Sequence, residues 1–417
     1  MTNVEQRALV RPVFLKVSLL VAILLLPVVS HAVWSYVEMR RLDGNIREVI
    51  AKDEPIVPEV YRRTYVPTEA ERFYLAATAL TSDSARARDF AYRPERFDWS
   101  PASVAALKST LEKYQEALTF LDRAAELPFQ GFRPGTHYGP GFGNVLSLAG
   151  ARAAVRVAAG DGDGAVNSVA AAVRAGRTMR GVLSGTLRSA FFLNEIFDRT
   201  RPAAASVERL AAALAEADDD AELWRWFVEQ RANVINTSHV AATNPEPVSW
   251  VDWIVRPWQA HELNWRLEIY ARLIAAAREP WPQRLDHVIA VGELPYPVVT
   301  PTVTPAEMLE ALLWTSAAPL AILRANRIVV AIERYKRDHD GQLPDAPQQL
   351  VPAYLATLPV DPFSGQPLIV QTTATGYAVY SVSMNRRDDG GVDLNRSSGF
   401  VFPKSYPPDL GVRVGGH

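Results

Sequence analysis

The segment of this chain best suited to chemistry is a short acidic loop near its C-terminal end. It covers residues 385–394 and reads NRRDDGGVDL. Its aspartates and asparagine offer side-chain oxygens, and its glycines let backbone carbonyls turn inward beside them. The loop is either an ion-binding loop or a solvated Asp-Gly turn, and the charges of Arg386 and Arg387 oppose a bound cation.

Other chemically active residue types form no recognisable catalytic set. None of the seven histidines lies in a ligand-spaced pair, and the chain contains no Gly-x-Ser-x-Gly motif. The stretch Gly139–Gly143 lacks the lysine of a phosphate-binding loop, and His261-Glu262 is followed by Trp265 where a zinc-protease helix needs its second histidine. We therefore predict no catalytic residues and no organic cofactor.

Composition excludes two further classes of site. The 417 residues carry a net charge of -2 and no basic run, so no general electrostatic attraction to nucleic acid is expected. The absence of cysteine excludes disulfides and thiolate metal sites. Hydrophobic residues make up 48% of the chain, which is ordinary for folded domains, and the length predicts two or three of them.

The N-terminus carries an apolar run long enough to cross a bilayer. Between Val13 and Trp34 the only charged residue is Lys16, and Trp34 and Tyr36 lie where an interfacial aromatic belt is expected. We predict a cytoplasmic tail and signal anchor over 1–37.

Two features bear on topology and processing. Three basic residues precede the run and favour an N-in orientation, although three more follow it: Arg7, Arg11 and Lys16 before, Arg40, Arg41 and Arg47 after. Ser30 and Ala32 have the small side chains of a signal-peptidase site, so a cleaved signal peptide is the alternative. Both interpretations export the remaining chain, and we predict a single-pass inner-membrane protein with its bulk in the periplasm.

A mainly α-helical body is predicted over 68–294, after a juxtamembrane connector over 38–67. Thr68 and Ser100-Pro101 have the residue types that start helices, and apolar residues recur at intervals of three and four from 104 to 125. Two small-residue helices, about 144–159 and 164–180, are joined by Gly-Asp turn residues and loosely resemble a tetratricopeptide-like hairpin. Asp161 and Asp163 in this turn are predicted to serve the turn and not a metal.

Tryptophan is concentrated in the second half of this body. Seven of the ten tryptophans lie between 224 and 281. They predict an aromatic core between helices, or else a carbohydrate-stacking or membrane-interface surface.

A proline-rich linker over 295–305 precedes a C-terminal module over 306–417. The module reads as a helix that Pro319 should kink or divide, a short second helix or connector, a strand hairpin over 368–371 and 377–383, and a last strand over Gly399–Phe402. The predicted fold class is therefore mainly α: a transmembrane helix, a hairpin or solenoid-like helical body, and a small α+β module.

The C-terminal module resembles the globular domain of the major pseudopilin of type II secretion systems. The resemblance rests on the order and spacing of several short groups: 331–335, Asp338, Gly341, 343–344, Leu350, 358–359, Asp361-Pro362, Gly365, 380–381, Asn385, Asp388, 390–391 and 393–394. It covers about residues 321–403. The membrane segment lacks the processing glycine and early glutamate of pseudopilins and lies about three hundred residues upstream, so filament assembly is not expected from it.

The resemblance implies a structural calcium ion in the loop after the Tyr-Ser strand. By similarity, its candidate ligands are Asp388, Asp389, Asp393 and Asn385. We expect a non-catalytic, membrane-anchored periplasmic protein that binds or scaffolds a protein partner in the bacterial envelope. The alternatives are an envelope hydrolase or carbohydrate-binding protein using residues 224–281, and a divergent type II secretion or pilus-system component.

Overall fold

The computed structural model describes residues 3–57, 68–82, 97–127, 139–177, 193–218, 222–243, 249–294, 305–392, 394 and 406–415. Within these ranges the chain forms twelve α-helices, one short 3₁₀ helix and one antiparallel sheet of three strands. The helices are α1 Asn3–Ala51, α2 Glu69–Leu80, α3 Pro101–Lys113, α4 Gln115–Glu126, α5 Gly139–Ala158, α6 Gly162–Arg177, α7 Leu193–Arg199, α8 Ala204–Ala217, α9 Glu222–Thr243, α10 Trp250–Ala277, α11 Gln283–Gly292 and α12 Pro305–Asp338. The 3₁₀ helix is Pro347–Leu350, and the strands are β1 Ile369–Thr372, β2 Tyr377–Ser381 and β3 Leu410–Val414. A mainly helical fold with a small sheet is confirmed.

The predicted caps start their helices. Thr68 Oγ1 accepts the N–H of Glu71 at 3.2 Å at the start of α2. Ser100 Oγ accepts the N–H of Ser103 at 3.3 Å at the start of α3, where Pro101 occupies the first turn. Each cap satisfies a backbone donor that the helix itself leaves open.

The helical body departs from expectation at Tyr114. The apolar stripe from 104 to 125 predicts one helix, whereas α3 ends at Lys113 and α4 begins at Gln115. Tyr114 is buried and belongs to a core that also contains Tyr74 and Leu118. The apolar residues keep their intervals of three and four across Tyr114, so sequence spacing alone does not reveal the break.

The α5–α6 hairpin closes through its acidic turn. Gly160 has φ +75°, a conformation that favours glycine. Asp161 Oδ1 accepts the N–H of Gly164 at 2.8 Å, and Asp163 Oδ1 accepts the N–H of Ala203 at 2.8 Å. Both aspartates therefore serve the turn and the start of α8, as predicted.

Helix α12 passes through three parts of the core without interruption. Pro319 does not divide the helix, because α12 is continuous from Pro305 to Asp338. Small buried neighbours at Ala317, Ala318 and Ala321 leave room beside the proline, and tertiary packing outweighs the lost backbone hydrogen bond. The first half of α12 packs with α9, α10 and α11, and its second half packs with the sheet.

Strand β2 is the middle strand of the sheet, and all five of its residues are buried. Tyr380 pairs with Ile369 on β1 and with Gly411 on β3. The predicted hairpin is present as β1–β2. The predicted last strand at Gly399–Phe402 lies outside the described residues, and the third strand is Leu410–Val414.

In the part of the chain that the structure describes, two helices are long and apolar enough to span a membrane. The candidate window in α12 is mostly buried inside the protein, which identifies α12 as a core helix. Residues 20–30 of α1 are all exposed, and beyond them the same helix packs along α10. The structure thus contains an N-terminal helix suited to membrane anchoring.

Candidate functional site

The acidic loop follows β2 directly and is held by its own side chains. Asp388 Oδ1 accepts the Tyr380 hydroxyl at 3.1 Å and the N–H of Gly390 at 2.9 Å. Asp389 Oδ2 accepts Asn385 Nδ2 at 2.7 Å. Burial, with the Asp388 carboxylate beside the hydroxyl, raises the pKa of Tyr380 to about 12, so this tyrosine remains a donor.

Asp409 is a further carboxylate of this loop that sequence reasoning missed. It is buried immediately before β3, where its Oδ2 accepts the N–H of Gly391 at 2.8 Å and its Oδ1 accepts that of Asp389 at 3.5 Å. Burial raises the pKa of Asp409, and the carboxylates of Asp389 and Asp388 raise it further against the lowering effect of the two N–H groups. Pairing of β2 with β3 brings Asp409 here, and no local spacing signals it.

The two arginines of the loop take different roles. Arg386 reaches α11 and forms a two-pronged ion pair with Asp286, at 3.1 and 2.5 Å. Arg387 stays at the loop, with Nε 3.7 Å from Asp389 Oδ1. The positive charge that opposes a cation is therefore partly directed away from the loop.

Three of the four candidate ligands lie together, and the fourth is not described. Asn385, Asp388 and Asp389 share the loop, whereas Asp393 lies outside the described residues. Among the residues described, no group of three or more His, Asp or Glu side chains is arranged to hold a metal ion. The carboxylate oxygens of Asp388 and Asp389 accept hydrogen bonds from the protein itself. This arrangement is that of a turn closed by its own hydrogen bonds.

Six of the seven tryptophans of 224–281 separate into two sets, and the seventh, Trp265, is half-buried. Trp281 is buried, and Trp224 and Trp226 pack against the same core. Trp250, Trp253 and Trp258 on α10 are exposed instead. The expectation of one aromatic core thus holds for the first set only.

The exposed set lies beside the apolar helix. The His31 ring centroid is 4.1 Å from that of Trp253, and the Trp34 ring meets Trp258 edge-on at 4.7 Å. Trp250 is the most exposed of the three, at 75%. These rings face the surroundings of α1, away from the body's core.

A polar cluster joins α1 to the body just beyond the spanning segment. Glu38 Oε1 lies 2.9 Å from His261 Nδ1, and its Oε2 accepts Asn264 Nδ2 at 2.9 Å. Asn45 Nδ2 donates to Asn264 Oδ1 at 3.0 Å, and Arg41 forms an ion pair with Glu268. Apolar contacts complete the junction: Leu42, Val49, Leu263, Leu267 and Ile235.

The remaining described histidines act within their local structure. His287 Nδ1 lies 2.5 Å from Glu279 Oε2, and His339 stacks on Tyr335 and contacts its carbonyl. The first is a surface contact with a carboxylate, and the second lies at the end of α12.

Comparison with known proteins adds no relative. No protein-family model, no curated protein and no solved structure matches this chain.

Proposed function

We propose that this chain is a membrane-anchored periplasmic protein that binds or scaffolds a protein partner in the bacterial envelope and has no catalytic role. One observation carries the proposal: a single helix, α1, is apolar and exposed over 20–30 and is built into the folded body over 38–51. Such a helix connects a bilayer to the body without a flexible joint.

An uncleaved anchor is favoured over a signal peptide by the contacts around Ala32. His31 Nε2 donates to the carbonyl oxygen of Ile254 at 2.9 Å, and Trp34 packs on Trp258. A cut after Ala32 falls within the continuous helix α1, whose backbone is not in the extended conformation that a protease binds. The proposed orientation is N-in, with the body in the periplasm.

The C-terminal module is proposed as the partner-binding end. Its loop is tied to α11 by the Arg386–Asp286 ion pair, and α11 follows the far end of α10. The 28 residues of α10 extend about 40 Å, so the module lies at the end of the body remote from the membrane. The proposed pseudopilin-like character of this module adds an exposed strand edge near Gln371 as a contact surface.

A structural calcium ion in the acidic loop is part of the proposal. Asn385, Asp388 and Asp389 supply oxygens in one turn, Asp409 approaches from β3, and Asp393 follows two residues after Gly391. Hard oxygen ligands of this kind suit Ca²⁺.

The position of the exposed tryptophans bears on the hydrolase or carbohydrate alternative. That alternative needs exposed rings in a cleft with paired carboxylates. Trp250 and Trp258 lie beside the apolar part of α1, which supports a membrane interface for them. The secretion-system alternative predicts pilus-assembly genes next to this one, and a gene standing alone counts against it.

Single-cysteine labelling tests the proposal, because the chain has no native cysteine. Leu80→Cys, an exposed position of the body, should react with an impermeant maleimide in intact spheroplasts. Thr2→Cys should react only after lysis, and the intact mass should retain residues 1–32. Labelling in the reverse order, or loss of the first 32 residues into a soluble product, would contradict the anchor.

Partner binding is tested separately by photo-crosslinking in the envelope. A photoreactive residue at Gln371 should give a discrete adduct with another protein, and the same residue at exposed Glu48 of α1 serves as the control. Equal patterns from the two sites would reject the module as the binding end.

A further inference from the structure

The N-terminal end of α10 extends alongside the most apolar part of α1. His31 contacts Ile254 and Glu38 contacts His261, and both pairs are 223 residues apart, so the two helices run parallel in one register. That offset places Trp250 level with Pro27, seven residues before Trp34. At 1.5 Å per residue, α10 therefore reaches about 10 Å past Trp34 along the anchor.

Large apolar side chains are exposed over this end of α10. We use the term α10 tip for Trp250, Val251, Trp253, Ile254 and Trp258, whose exposed fractions run from 42% to 75%. Isolated exposed apolar residues are ordinary, but five within nine positions form a patch that marks a binding surface.

The geometry points to the α10 tip as a second membrane contact, inserted into the interfacial layer of the leaflet that α1 leaves. This inference rests on the anchoring proposed above. Tryptophan favours the headgroup level because its ring is apolar and its N–H is polar. A reach of about 10 Å matches the depth to which interfacial helices enter a bilayer.

The start of α10 is built to enter a region poor in water. Ser249 Oγ accepts the N–H of Asp252 at 3.1 Å, and Asp252 Oδ2 accepts the N–H and hydroxyl of Ser249 at 2.9 and 2.8 Å. This reciprocal capping satisfies polar groups that are costly to leave open in lipid. The charge of Asp252 also limits the depth, because a carboxylate belongs with the headgroups and not with the acyl chains.

A phospholipid bilayer is the occupant that fits this surface. The α10 tip is continuous with residues 20–30 of α1, the surface that the bilayer covers in the proposed function. A soluble partner covering the tip would have to occupy the same depth as lipid headgroups. The tip therefore adds a second point of contact that sets the angle between the body and the membrane.

Spin labels on single cysteines in the full chain test this inference. The protein is placed in nanodiscs of phosphatidylethanolamine and phosphatidylglycerol, and the label's collisions with oxygen and with a water-soluble nickel chelate are measured. Val251→Cys and Ile254→Cys report the tip, Ile23→Cys reports the anchor, and Val360→Cys is a control of similar exposure in the C-terminal module: 46%, 44%, 58% and 39% exposed, respectively.

The expected result is a graded one. Labels at 251 and 254 should favour oxygen over the nickel chelate, between the strong preference at 23 and the aqueous response at 360. Aqueous behaviour at 251 and 254 with a lipid response at 23 overturns this inference and leaves the anchor intact. An aqueous response at 23 overturns both, and exclusion of both reagents at 251 shows a protein cover in place of lipid, which also overturns it.

Discussion

Glu38 Oε1 lies 2.9 Å from His261 Nδ1 and joins residues 223 positions apart in the chain. Asn264 Nδ2 donates both to the other carboxylate oxygen of Glu38 and to its backbone carbonyl, each at 2.9 Å. Glu38 is four residues beyond the predicted spanning segment. This contact thus holds α1 against α10 just beyond the apolar segment of α1.

Replacing Glu38 should loosen this junction. Glu38→Ala leaves the buried Asn264 amide without its carboxylate acceptor, which should lower the free energy of unfolding by about 1–3 kcal/mol. Thermal melting in detergent measures the change. Glu48→Ala is the matched control, because Glu48 on the same helix forms an exposed surface pair with Lys52, and its loss should change stability little. Equal effects of the two variants would contradict the role of Glu38.

The same contact predicts a dependence on pH. Burial alone raises the pKa of Glu38, but hydrogen bonds from His261 and Asn264 outweigh it and hold the pKa below its usual value of 4.5. A lowered carboxyl pKa gives stability that is present above 4.5 and is lost as the pH falls through the lower, folded-state value. The gap in melting temperature between the native chain and Glu38→Gln should therefore narrow from about pH 6 to about pH 3. A gap that widens in acid would contradict a lowered pKa of Glu38.

Asp361 should be indispensable to the sheet. It is buried and accepts the N–H of Phe363 at 2.9 Å and that of Val382 at 3.1 Å, with the hydroxyls of Ser381 and Ser364 at 2.8 and 3.1 Å. Asp361→Ala leaves these four donors without their acceptor. It should lower the free energy of unfolding, measured by chemical denaturation, by about 3 kcal/mol or more. Asp345→Ala, at an exposed aspartate of the same module, should change stability by about 0.5 kcal/mol or less. Similar denaturation midpoints for Asp361→Ala and Asp345→Ala would contradict this role of Asp361.

Alanine substitutions at two glycines should change the free energy of unfolding in opposite directions. A Cβ at Gly411 would lie 2.1 Å from the carbonyl oxygen of Val379 in the paired strand, so Gly411→Ala must displace backbone and should cost about 1–3 kcal/mol. A Cβ at Gly143 in α5 meets nothing within 4 Å, so Gly143→Ala should stabilise the helix by about 0.5–1 kcal/mol. Denaturant midpoints of the two variants should move in opposite directions. A shift of both in one direction would contradict the strand spacing or the open side of α5.

Calcium should stabilise the chain if the acidic loop binds it. Addition of millimolar Ca²⁺ should raise the melting temperature of the full chain, since a ligand bound only by the folded state shifts the equilibrium toward that state. Asp388→Asn and Asp389→Asn should remove the shift, and Asp345→Asn should retain it. The full chain is needed because α12 shares its core with both the helical body and the sheet. No shift with native protein would remove the site.

Local features of the fold were predictable because their causes are local. Thr68 and Ser100 predicted helix starts, and the apolar run before Trp34 predicted a helix long enough to span a membrane. Asp409 was not predictable, because strand pairing brings it to a loop 18 residues earlier in the chain. The continuity of α12 through Pro319 depends on packing from all sides, which outweighs a backbone preference. Trp250 is exposed and Trp281 is buried. This difference depends on how the helices pack together, and residue type alone does not determine it.

The absence of a joint between α1 and the body has a consequence for how partners are met. A flexible linker lets a domain search a volume and raises its effective concentration near anything within reach. In the proposed anchoring, a helix that continues from the bilayer into the folded body permits no such search, because Leu42 and Val49 of α1 pack against the body. The C-terminal module is then held at a nearly constant height, about 40 Å above the α10 tip along that helix. Only molecules that come to that height by their own diffusion, or are themselves anchored to reach it, can be engaged.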